Sequence, residues 1–304
     1  MNIRKDSGPL KWILIGISAL FLFVMLILPL SYVMYTAFSK GIKVFLAAVT
    51  DKYALHSIKL TIEVSLIAVV CNTFFGIFAS WLITKFQFKG KKIISTLIDL
   101  PLTVSPIIAG LIYVLTFGRQ SFIYPYLKAM GVRIIFAVPG IVLATIFVTF
   151  PFISRELIPV LTSQGTDEEE AAALMGANGW TIFWKVTFPH IKWPLFYGIV
   201  LCTARAMGEF GAVSVLSGHL RGRTNTMPLY IELLYQGYDF TGAFAVSAIL
   251  VLMAVIILVL RSVLEYKGQQ AAKAEKEQQE AHKTPYIIRL TIQEQLVLTF
   301  RMAE

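Results

Sequence analysis

Six long apolar blocks, separated by short polar segments, dominate the pattern of residues along the chain. A helix needs about 20 consecutive apolar residues to cross the hydrocarbon core of a bilayer, and every block reaches that length. Strands of a membrane barrel would instead show short segments in which apolar and polar residues alternate. The pattern predicts an all-α, polytopic helical membrane protein with six transmembrane helices, at about residues 12–38, 60–84, 93–117, 134–160, 192–217 and 242–264.

The composition favours the same class of protein. Of the 304 residues, 57% are hydrophobic and 15% are charged, whereas soluble domains are roughly 45–50% apolar and about 25% charged. The net charge of +9 comes largely from short segments between the blocks, where basic residues orient a membrane protein, so we expect no nucleic-acid partner. Cys71 and Cys202 lie inside apolar blocks and belong to no metal-ligand pattern, so no metal site is expected.

Lysine and arginine predict the orientation in the membrane. Six crossings place both termini on one side, and the basic turn KFQFKGKK at 85–92 favours the cytoplasm as that side. After residue 265 the chain becomes polar. We therefore expect a multi-pass protein of a bacterial-type plasma (inner) membrane, with a transmembrane domain over 1–265 and a cytoplasmic tail over 266–304.

One polar stretch, TDEEEAAALMGANGWTIFWKVTFPH at 166–190, lies between the fourth and fifth blocks. Thr166 and Glu169 have the spacing of a capping box, and the acids after Thr166 suit the positive end of a helix dipole. Gly176 and Gly179 predict the end of that helix. The stretch thus predicts a short cytoplasmic helix with a small-residue face, either a docking element for another protein or an ordinary capped surface helix.

The same loop carries a motif with defined spacing. Its order, E-A-A-x3-G-x9-V-x-F-P, resembles the EAA loop of bacterial ABC-importer permeases, with valine and phenylalanine in place of the usual isoleucine and leucine. The resemblance implies a type I ABC-importer permease fold, in which this loop is a coupling helix that lies in a cleft of a cytoplasmic ATPase subunit. The implied ATPase-coupling residues are Glu170, Ala171, Ala172, Gly176, Val186, Phe188 and Pro189.

The chain itself lacks the sequence signature of an ATPase. No G-x-x-x-x-G-K-[ST] motif, whose backbone amides would hold a nucleotide phosphate, occurs in it. The resemblance therefore implies a non-catalytic membrane subunit that binds no cofactor, with ATP and Mg²⁺ on a separate P-loop ATPase, present in two copies.

The fifth block contains two opposite charges four residues apart, Arg205 and Glu209. Charges inside a membrane span are costly and tend to face a partner, a cavity or one another. Three interpretations remain open: a structural ion pair, a contact with a second permease, and a positive site on an anion path. Nearby small residues allow close helix approach or offer hydroxyl groups, although serines in helices more often bond to their own backbone; they are Gly208, Gly211, Ser214 and Ser217.

The stretch from Arg205 to Leu234, with GEFGAVSVLSG and PLYIELL, resembles the oxyanion-importer branch of these permeases. Within that branch it is most similar to W-type permeases of sulfate/thiosulfate importers. The resemblance implies a related second permease in a heterodimer, surrounding membrane lipid, and an extracytoplasmic sulfate-binding protein that Arg221 and Arg223 would contact. The alternative within the class is a molybdate/tungstate permease that acts as a homodimer.

Two other classes of protein fit the sequence less well. An ion-coupled carrier would be expected to show internal repeats with paired broken helices, and no such repeat is evident. A membrane-embedded enzyme would be expected to show a cluster of histidines or paired acids within the spans, and none recurs there.

Overall fold

A computed structural model describes residues 9–268 and 270 of the chain. Helices make up about four-fifths of these residues, and no strand occurs among them, so the predicted all-α membrane fold is confirmed. The tail expected over 266–304 lies outside the described residues, apart from 266–268 and 270. The helices are α1 Pro9–Leu22, α2 Leu28–Phe38, α3 Ile42–Val49, α4 Lys52–Lys85, α5 Lys91–Thr103, α6 Pro106–Phe117, α7 Tyr124–Ala129, α8 Val138–Thr149, α9 Pro151–Gln164, α10 Asp167–Leu174, α11 Gly179–Ile182, α12 Phe188–Met207, α13 Gly211–Ser217, α14 Met227–Gln236 and α15 Phe240–Gly268.

Within the part of the chain that the structure describes, four stretches are continuous helices long and apolar enough to cross a membrane: Lys11–Phe38, Lys52–Lys85, Val138–Gln164 and Phe240–Gly268. The second of them begins well before residue 60, where the apolar block starts. The side chain of Asp51 explains the earlier start, because its carboxylate accepts the backbone N–H groups of Tyr53 and Ala54 at 2.9 and 3.4 Å. Such a cap satisfies amides that the first turn of a helix leaves free.

The third apolar block is divided into two helices. α5 and α6 meet at a bend of 109° between Thr103 and Pro106. The residue before a proline is disfavoured in helical conformation, and Ser105 accordingly has an extended backbone, with φ −57° and ψ 131°. The sequence places one block at 93–117, and Pro106 converts it into a broken span.

The fifth block is broken as well. α12 ends at Met207, and α13 begins at Gly211 after a bend of 51°. Residue 209 therefore lies in the break and not within one continuous helix. The four-residue spacing of Arg205 and Glu209 thus does not by itself place them on one helical face.

The core forms around α4, which packs against α8, α9, α12 and α14. Asn72 of α4 is fully buried and donates to the carbonyl of Ile146 and the hydroxyl of Thr149, at 3.2 and 2.8 Å. Gly76 lets α9 approach closely, because a Cβ at this position would lie 2.9 Å from Ile153 Cγ2. Small residues and buried hydrogen bonds hold helices together in membranes, where apolar surface gives little preference for protein over lipid.

Candidate functional site

The 166–190 loop contains α10, which glycine terminates. Gly176 has φ +86°, a conformation that residues with a Cβ rarely adopt. Its N–H donates to the carbonyl of Ala173 at 2.9 Å, and the N–H of Ala177 donates to the carbonyl of Ala172 at 3.1 Å. This pair of bonds is a Schellman motif, so a left-handed residue is needed at position 176 for α10 to end where it does.

The expected capping box at the start of α10 is wrong. Thr166 occupies the N-cap position, but its side chain makes no capping hydrogen bond. Glu169 turns away from the helix start and pairs with Lys85 and Thr187 instead. Hydrogen bonds between charged groups are stronger than neutral ones, so the distant lysine competes successfully with the local cap.

Glu169 anchors α10 to two other helices. Its carboxylate lies 3.0 Å from Nζ of Lys85, at the end of α4, and accepts the hydroxyl of Thr187 at 2.6 Å, at the start of α12. The Lys85 and Glu169 side chains are only 6% and 14% exposed. Lys85 also donates to the carbonyl of Gly165. Because the pair is largely buried, removing one partner leaves a charge without compensation. Sequence analysis missed this anchor, since nothing local connects residue 85 with residue 169.

A second contact reinforces the first. His190 Nε2 of α12 lies 2.9 Å from Glu168 Oε2. Both side chains are partly exposed, so we regard this contact as weaker than the buried pair. Together the two contacts hold the C-terminal end of the loop, at Thr187 and His190, against α10.

The exposed residues at the C-terminal end of α10 are small or apolar, whereas those of its first turn are acidic. Of the residues expected to couple to an ATPase, Glu170, Ala171 and Gly176 are exposed, whereas Ala172 is buried. Leu174, next to them, is 90% exposed. A contiguous exposed apolar surface is characteristic of a site where another protein binds.

The other three motif residues lie behind this face. Val186 and Phe188 are half-buried, and Pro189 occupies the first turn of α12. The ring of Phe188 lies 5.0 Å from that of Trp184, within an aromatic cluster that supports the loop and also includes Trp180 and Phe183. Sequence analysis did not single out this cluster, although its members recur at helical spacing.

The structure brings Arg205 and Glu209 together. Arg205 Nη1 lies 2.5 Å from Glu209 Oε2, and the other carboxylate oxygen accepts the N–H of Ala212 at 2.9 Å. Glu209 is buried, whereas Arg205 is about one-third exposed. The pair therefore spans the break between α12 and α13, and Arg205 is the member that remains accessible.

The small residues around this pair have different roles. Gly211 permits close approach of α6, because a Cβ there would lie 2.9 Å from the side chain of Pro106. Gly208 approaches no other described helix so closely, as only the carbonyl of Ala204 lies within 4 Å of its position. Ser214 donates to the carbonyl of Gly211 at 2.8 Å, while Ser217 is buried and accepts the N–H of His219 at 3.1 Å.

Arg221 and Arg223 differ in their surroundings, although both are exposed. The guanidinium of Arg221 lies 4.3 Å from the ring centre of Tyr53, a cation–π contact. It also lies near Asp51. Burial raises the pKa of the Asp51 carboxyl, but hydrogen bonds from Tyr53 N–H, Ala54 N–H and the Tyr230 hydroxyl, together with the charge of Arg221, hold that pKa below its ordinary value. Arg221 thus helps to fasten the loop before α14 to the start of α4.

Long apolar helices, two bent helix pairs and an anchored loop helix fit a membrane component of a transporter. The chain belongs to the family described as "binding-protein-dependent transport system inner membrane component", whose sequence profile matches residues 72–269. The resemblance to ABC-importer permeases read from the loop is therefore confirmed.

The most informative relatives are sulfate permeases. The chain is 48% identical to the sulfate transport system permease protein CysW of Escherichia coli strain K12, over 92% of this chain and 96% of that protein. It is 36% identical to the "Probable sulfate transport system permease protein cysT" of Prototheca wickerhamii, over 79% of this chain and 94% of that protein. The resemblance to the W type is confirmed by the first of these.

A solved structure shares the fold. It is a bacterial alginate ABC transporter in complex with an alginate pentasaccharide-bound periplasmic protein, with a TM-score of 0.70 and 18% identity. The similarity covers 86% of this chain and 94% of that one. The expected fold of an ABC-importer permease is confirmed.

Proposed function

We propose that this chain is a permease subunit of an ATP-driven importer and forms half of the translocation path for sulfate or thiosulfate. An extracytoplasmic binding protein delivers the anion, and a separate ATPase drives the cycle through the 166–190 loop. The observation that carries the proposal is 48% identity to a sulfate permease over 92% of the chain.

The physical chemistry of the cargo fits this arrangement. A divalent oxyanion is strongly hydrated, and an unpaired charge is prohibitively costly in hydrocarbon. It therefore needs a path lined by protein or water and an external source of energy. The exposed face of α10 supports the proposal that the energy comes from a partner chain, because the loop presents apolar surface and is anchored to two membrane helices by Glu169.

The relatives and the charged loops support a particular composition and orientation of the assembled transporter. Relatives named as two kinds of sulfate permease support a heterodimer with a related second permease over the molybdate/tungstate homodimer. Two copies of a P-loop ATPase, with their ATP and Mg²⁺, would each bind one coupling loop. The basic turn at 85–92 supports placing that loop and both termini in the cytoplasm. Arg223 is the better candidate of the two loop arginines for contact with the binding protein, because the guanidinium of Arg221 already lies over the ring of Tyr53.

We expect the assembled complex to import sulfate. Cells that lack their own sulfate importer, supplied with this chain and its neighbouring transport genes, should take up radiolabelled sulfate. Thiosulfate should compete with the label and molybdate should compete weakly. The purified complex should contain a second, non-identical permease. Molybdate uptake by a complex with two copies of this chain would favour the homodimer alternative instead.

Replacing Arg205 with glutamine is expected to impair sulfate uptake more than expression. The change removes the accessible positive charge, and uptake per assembled complex should fall by about tenfold or more if that charge meets the anion. Arg205→Lys, which keeps the charge, should retain more activity. The double variant Arg205→Gln/Glu209→Gln removes the unpaired carboxylate, so normal uptake by that variant would show that the pair is only structural.

A further inference from the structure

A second ion pair within the apolar part of the chain has no role in the function proposed above. Arg155 Nε of α9 lies 2.9 Å from Asp99 Oδ1 of α5. Unlike the buried Glu209, both side chains are largely uncovered by the described residues, with exposed fractions of 59% and 44%. The two charges also hold α5 beside α9, close to the point where α5 bends into α6.

The pair joins two separate helices, unlike the exposed pair Lys59–Glu63, whose members are four residues apart on α4. Arg155 belongs to the apolar span Val138–Gln164 and precedes the end of that span by about 13 Å of helix. Charges at this depth are costly against lipid and normally face protein or a water-filled cavity. We therefore expect the face that carries Arg155 to meet protein or water rather than hydrocarbon in the assembled transporter.

The same face of α9 is exposed along its length, and three of its four exposed residues are polar or charged. Arg155, Pro159, Thr162 and Ser163 are all exposed and follow one another at helical spacing, whereas Ile153, Leu157 and Leu161 on the other side are buried in the core. We call these four exposed residues the α9 stripe.

Pro159 adds a backbone group to the α9 stripe. Proline has no N–H, so the carbonyl of Arg155, four residues earlier, loses its helical donor. Within a membrane such a carbonyl is tolerated where it lies against protein or lines a water-filled cavity. The hydroxyls of Thr162 and Ser163 donate to their own helix at 2.7 and 2.9 Å, which leaves their lone pairs available to water.

Arg155 and Arg205 lie at different levels along their helices. Cys202 Sγ of α12 lies 3.7 Å from the carbonyl of Thr149, and a Cβ on Gly198 would lie 3.2 Å from Ile153 Cα. The helices therefore run antiparallel, and Arg205 lies level with residues that precede Thr149. Arg155 is displaced from that level by about 14 Å of helix toward the 166–190 loop.

We propose that Arg155 is an inner binding station for a divalent tetrahedral oxyanion, on the cytoplasmic half of the translocation path. This proposal rests on the proposed function, because it assumes that such an anion passes through the bundle. The anion displaces Asp99 from the guanidinium of Arg155, and Asp99 returns to that position when the anion leaves.

The carboxylate explains why the station releases its cargo. A path conducts only if each site binds strongly enough to admit the ion and weakly enough to let it go. Asp99 competes for the same guanidinium and repels the bound anion, so it keeps the station weak. At rest the pair has no net charge, so it does not retain other anions.

The station predicts unequal effects of removing the two charges. In proteoliposomes that contain the whole complex and receive loaded binding protein, Arg155→Gln should lower the initial rate of sulfate uptake about tenfold or more, because an unpaired carboxylate then faces each dianion. Asp99→Asn leaves the arginine in place and should reduce uptake much less. Asp99→Asn/Arg155→Gln should recover part of the loss of Arg155→Gln, because the repulsion is gone.

Cysteine labelling tests the exposure of the α9 stripe to water and anions. Thr162→Cys should react with a membrane-impermeant thiosulfonate from the cytoplasmic side, faster with an anionic reagent than with a cationic one, and sulfate should slow the reaction. Ser262→Cys, exposed on α15 away from the α9 stripe, is the control and should react with the anionic reagent at a rate that sulfate does not change. The background is the parent chain with Cys71 and Cys202.

The outcomes separate this proposal from the proposed function. Absence of sulfate uptake by the unsubstituted complex would refute the proposed function. If the unsubstituted complex imports sulfate, two results would refute the station alone. One is normal uptake by Arg155→Gln, and the other is an equal loss of uptake in Arg155→Gln and Asp99→Asn. If Thr162→Cys did not react, protein would cover the α9 stripe. If it reacted at a rate that sulfate did not change, the anion would not pass the stripe. Either result would also overturn the station.

Discussion

Replacing Gly176 with valine is expected to abolish transport while the protein remains in the membrane. Gly176 has φ +86° and closes α10 through the Schellman motif, and none of the described residues beyond its chain neighbours lies within 4 Å of the position a Cβ would take. A β-branched residue there strains the turn and adds bulk to the face proposed to bind the ATPase. Membrane content, co-purification of the ATPase and sulfate uptake should be measured together.

Gly131 provides a matched control for this change. It also follows a methionine, has φ +69°, lies in open space and ends a helix with the same two hydrogen bonds, at 3.1 and 3.0 Å. Gly131→Val imposes a similar strain at the end of α7, on the predicted outer side, and should leave coupling intact. Gly176→Asn distinguishes strain from bulk, because asparagine tolerates positive φ. Normal transport with normal ATPase binding in Gly176→Val would count against the coupling role of the loop.

Replacing Glu169 with leucine is expected to disconnect ATP hydrolysis from transport. The change leaves Lys85 buried without its carboxylate, and breaking a buried ion pair in this way costs about 3–5 kcal/mol. It also removes the acceptor of the Thr187 hydroxyl. With α10 no longer fastened to α4 and α12, ATP hydrolysis should continue while the number of sulfate ions imported per ATP falls. The measurement is the ratio of the two rates in proteoliposomes.

Two further variants make this expectation specific. Glu168→Gln alters the neighbouring acid, whose contact with His190 is exposed, and should change the ratio little. Lys85→Met/Glu169→Leu replaces both buried charges with apolar groups and should restore stability, because it leaves no charge unpaired. If that double variant also restored the ratio of sulfate imported to ATP hydrolysed, apolar packing between residues 85 and 169 would be enough to fasten α10, and the charges would not be needed. If Glu169→Leu imported sulfate at the normal ratio, α10 would not depend on the anchor.

The continuity of the predicted spans depended on single residues. Long apolar runs indicate where helices cross the membrane, but Pro106 breaks the third block and the residues around Gly208 break the fifth. Proline marks a possible bend, while the size of the bend depends on what packs on either side. Here α6 and α13 approach each other closely at Gly110, where a Cβ would lie 2.7 Å from the carbonyl of Ala212.

The sequence by itself determined the membrane class, the place of the interrupting loop and its family motif. Hydropathy over about 20 residues and a short motif are local properties, readable without knowing the neighbours. The charge pair Arg205–Glu209 was also readable, because its members are four residues apart.

Only the tertiary structure decided which partners Glu169, Arg155 and Arg221 have. Glu169 has the spacing of a local cap yet pairs with Lys85, Arg155 pairs with Asp99, and Arg221 lies against Tyr53. These partners are distant in sequence, and packing of α4, α5 and α9 brings them within a few ångströms. Inside a protein, a charged hydrogen bond at that distance is stronger than the neutral alternatives nearby in the chain, so proximity in the folded bundle overrides spacing in the sequence.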